Sequence, residues 1–150
     1  MKNRFNFIIF FITFFFACLF DQLSKKIFAD ILKEKGTINV FKFFSFELVK
    51  NYGIVFGFLN NDKIKFFLIP FSIIVIFLIP LYILKTKKDE KFSQFSLGLV
   101  EGGIMGNLVD RIKNGYVVDF INFHFWPVFN LADSFITIGM ILFFIKYFKE

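Results

Sequence analysis

Asp119 in VVDF and Asp133 in FNLAD are the residues of this chain best suited to do chemistry. Each lies at the edge of a long apolar segment. An ionisable group near hydrocarbon is unfavourable by roughly 2.5–3.5 kcal/mol at mid-depth on insertion scales, so its default reading is functional. Two carboxylates about 4 Å apart repel by about 4 kcal/mol at an effective dielectric near 20, so such a pair holds one proton near neutral pH. The ionised member can take a proton from water while the protonated member polarises a carbonyl. The apparent titration belongs to the pair. This chemistry calls for no metal and no cofactor.

The elements that must position the two acids are membrane elements. The chain is 57% hydrophobic and 23% aromatic, with a mean hydropathy of +0.66, too apolar for an ordinary soluble protein. At 150 residues it makes one domain, 1–150. Four segments approach the ~20 helical residues that a bilayer core requires: about 5–28, 64–84, 92–112 and 131–147. The second carries Pro70 and Pro80 as kink sites, and the third is weaker by hydropathy but rich in Gly and Ser. Small residues let helices approach closely, which places the third span at the centre of the bundle. The fold class expected is an all-α membrane protein, a four-transmembrane-helix bundle. Residues 37–50 and 116–125 both read as extended stretches, expected to lie on the membrane as a small extracytoplasmic β-like cradle with an interfacial loop. Trp126 and Tyr116 suit the headgroup layer.

Basic residues set the orientation. Lys2 and Arg4 precede the first span, Lys85, Lys87, Lys88 and Lys91 crowd one short turn, and Lys146 and Lys149 follow the last span. By the positive-inside rule these places are cytoplasmic, so both termini are inside and the two acids face outward. The net charge of +6 fits anionic lipid headgroups rather than nucleic acid. Ala17-Cys18 has a superficial likeness to a lipoprotein cleavage site, but the first span is expected to stay uncleaved and Cys18 to be packing. A single Cys and a single His, His124, exclude disulfides, cysteine metal clusters and HExxH zinc sites.

Other polar residues have two readings each. Asp21 and Lys25 in DQLSK share a helix face in the favoured order for an ion pair, which also suits a simple helix-end anchor. Asn51, Gly53 and Gly57 in NYGIVFGF offer an amide and flexible backbone, or only a loop. In GGIMGNLVDR, Asn107 and Arg111 project the same way beside Asp110. They form a polar network or, for Arg111, a phosphate anchor. Asn130 and Asp133 resemble a capping box, a structural role sufficient for Asp133 alone. Glu101 is unusual, and would pair with a lysine or face the bundle interior. A proton-relay subunit of a transporter would place its acids at mid-depth. Here they fall at the outer boundary.

DQLSK, NYGIVFGF, GGIMGNLVDR, VVDF and FNLAD, in this order over residues 21–133, resemble the lipoprotein signal peptidases, the signal peptidase II family. The resemblance implies an inner-membrane aspartic endopeptidase that removes signal peptides from diacylglyceryl-modified prolipoproteins, cutting before the lipidated cysteine. By motif, Asp119 and Asp133 match the catalytic pair. Asp21, Lys25, Asn51, Gly53, Asn107, Arg111 and Asn130 match the positions that support the pair and contact substrate. Membrane phospholipids as partners, inhibition by globomycin-type cyclic peptides and a monomeric state are the further expectations.

Overall fold

The computed structural model describes residues 7–53, 62–85 and 91–148. Gly57, Arg4 and the lysines at 2, 87, 88 and 149 therefore lie outside the described residues. The first helix, α1 (Ile8–Lys35), continues beyond residue 28, where the membrane span is expected to end. The residues after 28 (ADILKEK) are good helix formers, and Leu32 is buried on the same helix. The helix stops at Gly36, whose φ of 70° suits only glycine comfortably and whose N–H donates to the Leu32 carbonyl at 3.0 Å.

The two extended segments form a sheet. Strands β1 (Ile38–Phe41) and β2 (Phe44–Asn51) make a hairpin, and β3 (Val117–Asn122) pairs antiparallel with β2 in the order β1-β2-β3. The register breaks between Phe46 and Val49, and past that break Val49 stands opposite Asp119. The sheet is fastened to α1 through Phe28, whose ring lies 4.6 Å from that of Phe46 and 4.4 Å from that of Phe120.

A short 3-10 turn (Asp62–Ile64) leads into α2 (Lys65–Lys85), followed by α3 (Lys91–Asn114) and α4 (Leu131–Phe148). Helix α2 contains Pro70 and Pro80 and buries only Ser72 and Ile83, so nearly all of its apolar surface faces outward. In α1, α2 and α4 the length and hydropathy suffice to cross a bilayer. Helix α3 falls short of that measure, and its burial explains why. Twelve of its residues are enclosed, packed mainly against α1 and α4. A helix shielded by its neighbours does not need an apolar surface all round.

Close approach is what glycine supplies here. A Cβ on Gly102 would stand 2.6 Å from Ala17 Cβ and 2.7 Å from the Phe14 carbonyl oxygen. One on Gly103 would stand 2.5 Å from the Ala132 carbonyl oxygen. The α1–α3 and α3–α4 seams are thus backbone against backbone. Glu101 faces the bundle interior and is buried. Gly102→Ala should lower stability by about 1–3 kcal/mol through overpacking. Thermal unfolding in detergent would show this, with Phe77→Leu on the exposed side of α2 as an unaffected control.

Candidate active site

The site is built where β3, the C-terminal end of α3 and the first turn of α4 meet. Asp119 sits in the middle of β3 and is 1% exposed. It receives two amide donors, Asn51 Nδ2 to Oδ2 at 2.9 Å and Asn130 Nδ2 to Oδ1 at 2.6 Å. Asn51 closes β2 and is itself held by the Gly53 N–H, which donates to its Oδ1 at 2.9 Å.

Asp133 is the third residue of α4. Its Oδ2 accepts the Asn130 backbone N–H at 3.3 Å, while Asn130 Oδ1 accepts the Asp133 N–H at 3.0 Å. This is a reciprocal cap of the helix start. Its other oxygen accepts from Asn107 Nδ2 at 2.9 Å. The capping role read from the sequence is therefore real, and it coexists with a place in the site. Asn130, fully buried, touches both acids: it donates to one from its side chain and to the other from its backbone.

Behind the pair lies Lys25, 3% exposed. Its ammonium is 2.8 Å from Asp21 Oδ2 and 3.1 Å from Asp110 Oδ2, and it donates to Asn107 Oδ1 at 2.9 Å. Asp21 Oδ1 accepts the Ala132 N–H at 2.9 Å, tying α1 to the start of α4. Its carboxylate occupies the space a Cβ on Gly106 would need. The Asp21–Lys25 pair is thus an interior pair rather than an anchor at the helix end. Arg111 is half-buried, and the acids acting on it are Asp133, Asp119 and Asp110 in that order. Among the described residues its Nε has no hydrogen-bond partner.

Burial, reinforced by the charge of Asp133, pushes the Asp119 carboxyl up to about 7. The donors Asn51 and Asn130 and the charge of Lys25 pull it the other way. A carboxyl poised there can hold or release a proton at neutral pH. Among the described residues no cluster of His, Cys, Asp and Glu has the makings of a metal site.

The eight residues Asp21, Lys25, Asn51, Gly53, Asn107, Asp119, Asn130 and Asp133 therefore join through hydrogen bonds and ion pairs, with Arg111 beside them. Two members went unread as site residues, Gln22 and Asp110. Gln22 Nε2 donates to Asp110 Oδ1 and to the Gly106 carbonyl, both at 3.0 Å, and the Val118 N–H donates to Asp110 Oδ2 at 3.0 Å. The signal for Asp110 was its place three residues after Asn107. Gln22 carried none. His124 stands apart from the pair, bonded to Ser45 Oγ at 3.0 Å.

The family model described as signal peptidase (SPase) II matches residues 13–149. The lipoprotein signal peptidase of Caldanaerobacter subterraneus subsp. tengcongensis is 39% identical over 129 residues, 85% of this chain and 87% of that protein. That of Halothermothrix orenii is 40% identical over 125 residues, covering 83% and 84%. A solved bacterial membrane enzyme superposes with a TM-score of 0.83 at 32% identity, over 92% of this chain and 86% of the other. With the match running through every element that builds the site, the chain belongs to the signal peptidase II family of membrane proteases.

Proposed function

We propose that this protein is an aspartic endopeptidase that removes signal peptides from diacylglyceryl-modified prolipoproteins, cutting before the lipidated cysteine, with Asp119 and Asp133 as the catalytic pair. The observation that carries the reading is Asn130, which holds a buried acid on a strand and an acid on a helix start in one hydrogen-bonded unit. The pair shares a proton. The ionised carboxyl takes a proton from water, whose oxygen attacks the scissile carbonyl while the protonated carboxyl donates to the carbonyl oxygen. The first carboxyl then passes the water proton to the leaving amine, and the second recovers its proton as the tetrahedral intermediate collapses. Asn51, Asn107 and Asn130 orient the two acids, Gly53 holds Asn51, and Lys25 with Asp21 supplies a fixed positive charge behind them. Arg111 contacts substrate from the rim.

In this reading the chain is a single domain and a monomer, with α3 as the fourth span. It lies in the cytoplasmic (inner) membrane with both termini inside and the pair on the outer side. Phe41, Phe43, Phe125 and Trp126, all exposed, rest among phospholipid headgroups. A substrate lipid held at that depth brings the peptide to the pair already positioned. Each buried methylene of the lipid adds about 0.8 kcal/mol of membrane affinity. Globomycin-type cyclic peptides compete at the same place.

Asp119→Asn and Asp133→Asn should each lower cleavage of a diacylated prolipoprotein at least ~100-fold while the protein stays in the membrane. A lipid-free substrate of the same sequence should be cut far more slowly, and EDTA should have no effect. Turnover in either mutant, scored by gel shift, would sink the pair.

The raised carboxyl gives a signed pH dependence. Once pH passes about 7 Asp119 also ionises and the pair loses its shared proton, so the rate should fall on that side. Asn51 donates to the ionised form, and removing it favours the protonated form. Asn51→Ala should therefore move the alkaline limb to higher pH, in a profile of kcat/KM against pH. Arg111→Lys should also be impaired, because an ammonium does not reproduce the guanidinium fork. Wild-type activity in that variant would reduce Arg111 to a surface anchor.

A further inference from the structure

Asp110 is buried near the end of α3 and touches neither acid of the pair, yet it is the hub between three elements. Oδ1 accepts from Gln22 Nε2 of α1 at 3.0 Å. Oδ2 accepts the Val118 N–H of β3 at 3.0 Å and stands 3.1 Å from Lys25 Nζ. Val118 immediately precedes Asp119, and its carbonyl accepts from Asn130 Nδ2 at 3.3 Å. Val118, the residue before Asp119, is therefore gripped at both of its backbone polar groups, its N–H by Asp110 and its carbonyl by Asn130. Gln22 is itself locked by its second bond to the Gly106 carbonyl at 3.0 Å.

We propose that Asp110 is a positioning residue for the peptidase reaction: seated by Gln22 and paired with Lys25, its carboxylate holds the Val118 peptide and so sets where the Asp119 carboxyl stands relative to Asp133. The proposal rests on the two-aspartate reading above. A reacting group displaced by about 1 Å loses rate by ~100-fold, and a strand held by its partner strand alone has that freedom.

Asp110 also acts through charge. The groups around Asp119 are Asp133 on α4, Lys25 on α1 and Arg111 on α3, with Asn51 on β2 and Asn130 before α4 as donors. Asp110 offsets the two cations. Asp110→Asn keeps an acceptor for the Val118 N–H but removes that offset, so the ionised pair becomes easier to form and the alkaline limb moves to lower pH.

The test measures kcat, KM and the pH profile on a diacylated prolipoprotein in detergent, with thermal unfolding alongside. Asp110→Ala should lose ~30–100-fold in kcat with KM within about twofold, since positioning rather than binding is lost. Asp110→Asn should lose under about tenfold and show the lower alkaline limb. A folded Asp110→Ala enzyme with wild-type kcat overturns the proposal. So does an unmoved limb in Asp110→Asn. Asp119→Asn runs in parallel. If it is inactive while Asp110→Ala is normal, only the positioning role fails, whereas an active Asp119→Asn removes the pair and this role with it.

Discussion

The ammonium of Lys25 is the group on which the polar interior depends. An isolated charge at that depth would be untenable, and removing one partner of a buried ion pair commonly costs about 3–5 kcal/mol. Its partners satisfy it and do a second task each. Asp21 reaches the start of α4 through the Ala132 N–H, Asp110 reaches β3 through the Val118 N–H, and Asn107 reaches Asp133. Two helices and a strand are thereby fixed relative to one positive centre. The two carboxyls proposed to do the chemistry sit one link further out. Their placement is derivative of an ion cluster buried behind them.

Packing makes that cluster possible. The seams of α3 with α1 and α4 are closed by glycines at backbone contact, which brings Asn107 and Asp110 within reach of a lysine on a neighbouring helix. The same tightness leaves α3 with little lipid-facing surface, so its composition is free to be polar. Helix α2 contributes none of the polar contacts described at the site and is apolar around its circumference. The bundle divides into a polar three-helix wedge and one helix that serves the membrane.

Much of this was legible in the chain, for reasons that differ by residue. Asp119 stood out because an extended stretch offers a buried acid no ordinary employment. Asp133 was ambiguous, since a cap and a site role predict the same residue at the same place; the cap is formed, and it leaves the other carboxylate oxygen to Asn107. The two extended segments announced themselves by β-branched and aromatic residues. The depth of the Asp21–Lys25 pair was not readable, because four-residue spacing is equally at home on a wet helix end. Gln22 was invisible: its partners are 84 and 88 positions away, and nothing local marks a glutamine that bridges helices. The end of helix α1 was not readable from the span, because hydropathy marks only what the membrane covers, while Gly36 ends the helix at Lys35.

The reciprocal cap between Asn130 and Asp133 makes the arrangement of the two acids conditional on the docking of α4. Asp133 has its defined position only once the first turn of the last helix has formed and Ala132 has found Asp21 on the first. Helices α1 and α3 packed together already hold Asp21, Lys25, Asn107 and Asp110, but with α4 undocked Asn130 does not join Asp119 to Asp133, and on the two-aspartate reading such a chain carries no pair.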